Sequence, residues 1–170
     1  MAWHIPRCAT IPDVITCEFE NGGRGALRHA VVNAVVARGD KVLLAKRASS
    51  LIEGGKWDLP GGLVDRDETL EQAVARELLE ETGWQARDYR LARIRDTPDR
   101  PGDENRQNIV FIYFCAATER TGRHDWETQE LRWFAIDALP PASEIAFDQL
   151  SALELFRRSR TEKMLLPSVA

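Results

Sequence analysis

Gly62-Leu63-Val64-Asp65-Arg66-Asp67-Glu68-Thr69-Leu70-Glu71-Gln72-Ala73-Val74-Ala75-Arg76-Glu77-Leu78-Leu79-Glu80-Glu81-Thr82-Gly83-Trp84 is the stretch on which the fold turns. Thr69 is a suitable N-cap, the residues from Leu70 to Thr82 follow a helical pattern, and Gly83 is a suitable C-terminal stop. On a wheel of about 100° per residue, Leu70, Ala73, Val74 and Leu78 share one apolar sector. Glu77 falls between Ala73 and Val74, Glu81 lies one turn further on, and Glu80 sits at the sector's edge. Three carboxylates therefore share one flank through i, i+3 and i+4 spacing, and that flank is expected to turn inward.

Such a placement is costly. Like charges at this spacing repel, and a partly buried carboxylate without a partner is worse. The helix C-terminus also disfavours negative charge. A solvated acidic face is the ordinary reading of paired glutamates, but these lie on the apolar side. A divalent cation removes the conflict, because hard oxygen ligands on one rigid element suit Mg²⁺ or Mn²⁺.

Outward from the helix, two apolar runs, Ala30 to Ala37 and Lys41 to Ala45, flank Arg38-Gly39-Asp40 and read as a β-hairpin. Trp57 to Leu59 is a short extended piece closed by Pro60. Arg87 to Arg95, Asn108 to Ala116 and Glu130 to Phe134 read as strands, with a polar loop from Thr97 to Asn105. Pro140-Pro141 breaks the chain, and Asp148 to Arg160 reads as a second helix. Strands and helices mix without regular βαβ alternation, so the expected class is α+β, a sheet packed between helices. The expected organisation is an irregular or weakly paired lead-in over 1–27, one domain over 28–160 and a C-terminal tail over 161–170.

The whole chain, 170 residues, suits a single compact domain. Apolar content of 44% with 29% charged residues excludes a disordered chain. A net charge of −4 argues against a nucleic-acid partner, which needs a basic footprint. No apolar run reaches the roughly 20 residues of a membrane span, and the first residues lack signal-peptide character, so a cytoplasmic location without membrane partners is expected. Cys8, Cys17 and Cys115 are odd in number and lack CxxC spacing, which argues against a disulfide scaffold or a structural zinc.

The stretch from Gly62 to Trp84 is similar to a complete Nudix box, Gx5Ex7REUxEExGU with U a bulky apolar residue; every fixed position is met, with Leu78 and Trp84 at the apolar ones. The preceding Gly55-Lys56-Trp57-Asp58-Leu59-Pro60-Gly61 also resembles the family's lead into the box. The resemblance implies a mixed β-sheet held between helices, with a loop–helix–loop that binds metal. It implies metal binding by Glu77, Glu80 and Glu81, with Glu77 as the first choice for general base. Glu68 and Arg76 match residues that pair to shape the loop–helix–loop, and Gly61 and Gly62 suit a turn where backbone approaches phosphate. A further acid from outside the box is expected at Glu127, with Glu130 as competitor. Arg47 is a candidate for a terminal phosphate and Trp57 for stacking on a base, with Phe111, Phe134 and Phe147 as weaker stacking candidates.

The implied activity is hydrolysis of a pyrophosphate bond in a nucleoside diphosphate derivative, with Mg²⁺ or Mn²⁺ as cofactor and a small-molecule nucleotide as partner. Three substrate types compete: a nucleoside triphosphate, a nucleotide sugar such as ADP-ribose, and a dinucleotide. Pro98 lies near the offset at which ADP-ribose-type members carry a proline, in a loop where proline is expected anyway. The alternative is a Nudix-like module that senses nucleotides without catalysis. Family members are often dimers, which makes a homodimer an expectation.

Overall fold

A computed structural model describes residues 15–98, 107–163 and 167. Cys8, the first half of the lead-in, most of the polar loop and, in the tail, residues 164–166 and 168–170 lie outside the described residues.

Helix α1 (Leu70–Thr82) starts and stops where its side chains dictate. The Thr69 hydroxyl accepts the Gln72 N–H at 3.2 Å, and the Gln72 side chain accepts the Thr69 N–H at 2.8 Å. This reciprocal cap satisfies two otherwise orphaned donors. At the far end Gly83 adopts φ 72° and donates to the Leu79 carbonyl at 2.8 Å. Ala73, Val74, Leu78 and Thr82 form the buried face.

The strands are β1 (Ile15–Glu18), β2 (Arg24–Leu27), β3 (Ala30–Arg38), β4 (Lys41–Arg47), β5 (Trp57–Asp58), β6 (Gly61–Leu63), β7 (Trp84–Arg95), β8 (Ile109–Arg120) and β9 (Thr128–Ala135). The lead-in is more regular than expected in its second half, since β1 and β2 pair antiparallel from Ile15↔Leu27 to Glu18↔Arg24. The other strands form one mixed sheet in the order β5-β4-β3-β8-β7, with β6 also on β3 and β9 also on β4. β3 and β8 run parallel, and the remaining pairs are antiparallel. β8 continues past the apolar run to Arg120 because β7, starting directly at Trp84, pairs it along its length through three register shifts. Helix α2 (Leu150–Ser159) starts two residues later than the sequence suggests; Phe147, at φ 50°, sits outside helical space.

Side chains alternate across the sheet as a period of two requires. From β3 and β8, Val32, Ala34, Val36, Tyr113 and Cys115 pack with Ala73, Val74 and Leu78 of α1. Val35, Val110, Ile112 and Phe114 pack on the opposite face with Leu153, Leu155 and Phe156 of α2. The molecule is thus an α+β sandwich with one helix on each face. Among the described residues, no helix is long and apolar enough to cross a membrane.

β3 and β4 diverge from their hairpin. They pair only at Ala37↔Val42 and Arg38↔Lys41, after which β3 pairs with β6 and β4 with β5. The segment from Trp57 to Leu63 crosses from one to the other, and Ala34 donates to the Pro60 carbonyl at 2.9 Å within that crossing. The candidate site lies where the two strands part.

Candidate active site

Gly61 and Gly62 bring backbone against α1. A β-carbon on Gly61 would lie 2.0 Å from the Val32 carbonyl oxygen, and one on Gly62 would lie 2.5 Å from the Glu77 carboxyl carbon. At Gly61, where the clash is with backbone, only glycine allows that approach; at Gly62 a β-carbon would displace the Glu77 carboxylate. The Gly61 N–H donates to Glu81 Oε2 at 2.9 Å. Glu77 and Glu81, one turn apart, therefore address the same two glycines.

Arg76 gathers the loop before the helix. Its Nε and Nη2 bind Glu68 at 3.1 and 2.7 Å, a two-point pair of the strong kind, and Nη2 also donates to the Leu63 carbonyl at 2.9 Å. Nη1 reaches Glu77 Oε1 at 2.7 Å and Glu80 Oε2 at 3.1 Å. Hydrogen bonds from Arg76 hold the Glu68 carboxyl below its ordinary range, and Glu68 in return holds the Arg76 guanidinium more firmly protonated. Glu80 differs from the sequence expectation of three inward carboxylates: its side chain is 55% exposed and faces Arg76.

Glu127 arrives from another part of the chain. The turn before it is tied to the end of α1: the N–H groups of Thr121 and Gly122 donate to the Gly83 carbonyl at 2.9 and 3.1 Å, and that of Asp125 to the Glu80 carbonyl at 3.1 Å. Ala48 N–H, at the end of β4, donates to the Glu127 carbonyl at 2.7 Å. Glu130 is elsewhere, paired with Arg132 on the surface.

A cavity of about 520 Å³ opens at this point, and among the described residues its wall carries Asp58, Asp65, Glu77, Glu81 and Glu127 against one cation, Arg47. Burial raises the Glu81 carboxyl well above its ordinary range; the charges of Asp58, Glu77 and Glu127 add to this, and the Gly61 N–H opposes it. Burial likewise raises Glu77, opposed by Arg76 and assisted by Glu80 and Glu127. Burial and Asp125 raise Glu127. Burial raises Asp58, with the Arg47 charge opposing.

Among the described residues, no three His, Cys, Asp or Glu side chains stand together as a ready-made metal group. The donor chemistry nevertheless fits a hard divalent cation: Glu77, Glu81 and Glu127 line one cavity, the charges of Glu77 and Glu127 raise the proton affinity of Glu81, and that of Glu127 raises Glu77. A cation placed among them would remove that repulsion.

Two substrate-side expectations change. Trp57 is 4% exposed and packs edge-on against Phe134 at 4.9 Å, within the α2-side core. It is not available to stack on a base, because the β4 pairing at Lys46↔Trp57 turns its ring into the sandwich. Phe134 shares that core, whereas Phe147 lines the cavity, with the Arg47 guanidinium 5.1 Å from its ring centre. Arg47 also lines the cavity, but its Nη1 pairs with Asp58 at 2.7 Å and its Nε donates to the Ile52 carbonyl at 2.7 Å. Sequence reasoning missed Asp58, Asn33 and Gln149, all buried and all lining the cavity. Asn33 is a polar residue inside the apolar run of β3, whereas Asp58, at the end of β5, and Gln149, just before α2, carry no comparable local signal, and nothing in the sequence ties the three together.

A NUDIX domain model matches residues 27–156. The chain is 32% identical over 127 residues to the ADP-ribose pyrophosphatase of Methanocaldococcus jannaschii, covering 75% of this chain and 72% of that protein. It is similar to the crystal structure of a MutT Nudix hydrolase from Burkholderia pseudomallei, with a TM-score of 0.65 and 29% identity over 76% of this chain and 98% of that one. It is also similar to the Nudix domain of Shewanella oneidensis NrtR complexed with ADP ribose, with a TM-score of 0.65 and 25% identity over 79% of this chain and 89% of that one. A domain match across most of the chain, on a sheet and helices arranged as in these relatives, makes the protein a member of the Nudix family.

Proposed function

We propose that the protein hydrolyses a pyrophosphate bond in a nucleoside diphosphate derivative, with Mg²⁺ or Mn²⁺ held by Glu77, Glu80 and Glu81. The observation that carries this reading is the convergence of Glu77 and Glu81 on Gly61 and Gly62 at the wall of an acidic cavity. A diphosphate is repelled by such a wall on its own. A divalent cation held there would supply the compensating charge and would make a nearby water more acidic. Glu77, raised by burial, takes the proton of the attacking water, with Glu127 as the alternative base. Glu80, which pairs with Arg76 in the structure, would join Glu77 and Glu81 in holding the cation by giving up that pair. Arg76 and Glu68 keep the loop and helix in register. Arg47, fixed by Asp58 and the Ile52 carbonyl, meets a phosphate oxygen as an oriented group.

ADP-ribose is the leading substrate candidate, supported by the pyrophosphatase relative and by the ligand of the Shewanella domain. That second likeness also favours another reading, a nucleotide-sensing module without turnover. Retention of every box carboxylate favours catalysis. The test is product analysis on a panel of ADP-ribose, nucleoside triphosphates and dinucleotides, with Mg²⁺, with Mn²⁺ and with a chelator. Metal-dependent release of AMP and ribose 5-phosphate from ADP-ribose is expected. Tight ligand binding without turnover on any member would favour the sensor. We place the reaction in the cytoplasm, on a small-molecule nucleotide.

A further inference from the structure

A second, open cleft of about 650 Å³ is lined by Arg120, Thr121, Gly122, Arg123 and His124, and it shares no lining residue with the acidic cavity. Its charge is the opposite one. It carries two arginines and no carboxylate among the described residues, in a chain whose net charge is −4. The nearest acids in the sequence are turned elsewhere. Strand alternation sends Glu119 to the other face of β8 from Arg120. Asp125 Oδ1 accepts the Glu127 N–H at 3.0 Å. Neither guanidinium makes an ion pair or a hydrogen bond among the described residues.

Exposed arginines alone are solvated by water and mark nothing. The backbone beneath them supplies a second, independent observation. The N–H groups of Thr121 and Gly122 are spent on the Gly83 carbonyl, and that of Asp125 on the Glu80 carbonyl. Gly122 lies tight on the end of α1, where a β-carbon would stand 3.3 Å from Gly83 Cα. Between these anchors the N–H groups of Arg123 and His124 meet no acceptor among the described residues. The His124 ring is held beside them: Nδ1 lies 3.0 Å from the Asp125 carbonyl, which can only accept, so Nδ1 carries the proton and donates. Two successive unspent N–H groups on a pinned turn form a concavity for an anion, and guanidinium forks match the oxygens of a phosphate.

We propose that this cleft binds a phosphate group, free or esterified, at a site separate from the acidic cavity. The Arg123 and His124 N–H groups and the Arg120 and Arg123 guanidiniums supply the donors. Because the two sites share no residue, this one stands whatever reaction the cavity performs. A bound anion would sit on the same pinned turn that carries Glu127 to the cavity wall, three residues beyond His124.

The test is binding to the full chain without divalent metal. Inorganic phosphate, methyl phosphate and, at matched ionic strength, chloride are titrated into the protein in chelator, and backbone amide shifts are followed by NMR. The acidic cavity wall repels anions when no cation is present, so the Gly61 and Gly62 signals are expected to stay still. The Arg123 and His124 signals are expected to shift and saturate with phosphate and not with chloride. The double variant Arg120→Gln/Arg123→Gln is expected to bind phosphate about tenfold or more weakly; the single substitutions carry the test if the double variant does not fold. Methyl phosphate binding at least as tightly as inorganic phosphate identifies an esterified ligand, and binding of inorganic phosphate alone identifies the free ion; both uphold the site. It is overturned if chloride produces the same shifts, if the Gly61 and Gly62 signals move in place of those of Arg123 and His124, or if folded arginine variants bind phosphate as the wild type does. A lower melting temperature with unchanged phosphate affinity would assign the arginines to offsetting the negative end of α1, whose last turn carries no basic residue, and would equally remove the site.

Discussion

Glu81 stands among like charges with one Gly61 N–H for support. Glu81→Gln can keep that hydrogen bond while removing the charge. Turnover is expected to fall by about two to three orders of magnitude, while the metal-free melting temperature stays the same or rises; wild-type kcat at saturating Mg²⁺ would remove Glu81 from the site. Gly62→Ala acts on the neighbouring carboxylate, Glu77. Its new β-carbon pushes the Glu77 carboxylate away, so Mn²⁺ affinity, followed calorimetrically with a diphosphate ligand present, should drop roughly ten- to hundredfold. The glutamates could be found in the sequence because helical spacing ties them together. Asn33, Asp58 and Gln149 could not, because no local spacing connects β3, β5 and the residue before α2. Trp57 misled for a related reason: an aromatic beside the box is a stacking candidate until strand pairing shows which way it faces.

Elements of this molecule are bounded by backbone chemistry, and their ends are where substitutions are felt. Gly83→Ala forces a β-carbon into positive φ and to 2.3 Å from the Gly122 carbonyl oxygen. It is expected to cost about 1–3 kcal/mol in urea unfolding. Thr69→Ala removes the reciprocal cap and should cost about 1 kcal/mol; a midpoint shift larger for Thr69→Ala than for Gly83→Ala would contradict this ordering. Both ends of α1 were readable from residue type, as were the β3–β4 hairpin and the apolar half of β8. The extension of β8 to Arg120 and the β1–β2 hairpin were not, since both depend on a partner strand rather than on an apolar pattern.

At the scale of the whole molecule, the acidic cavity sets how stability responds to pH. Asp58, Glu77, Glu81 and Glu127 hold protons more tightly in the folded protein than their ordinary ranges imply. Groups of this kind stabilise the fold fully below their unfolded pKa, about 4 for carboxylates, and lose that contribution as pH rises through the folded value. Glu68 has the opposite sign: its contribution is present above its unfolded pKa and is lost as pH falls through the lower folded value. Without divalent metal, the melting temperature is therefore expected to rise from pH 8 to about pH 5.5, a window in which Glu68 does not yet titrate. Mg²⁺ should raise the melting temperature more at pH 8 than at pH 5.5, because ligands must be deprotonated to bind. A metal-free melting temperature that falls steadily over this interval would refute the linkage. The parallel β3–β8 pairing at the centre of the sandwich joins strands some eighty residues apart and could not be derived from either alone.

The turn from Thr121 to Glu127 looks like a segment open to insertion: exposed, polar and between two strands. Its bonds to the Gly83 and Glu80 carbonyls make it a spacer of fixed count instead. One extra residue there would carry Glu127 out of step with Glu77 and Glu81 without disturbing either helix or the sheet. Length in this hairpin end is thus as constrained as identity: a single inserted alanine would move the Glu127 carboxylate and leave the rest of the cavity wall in place.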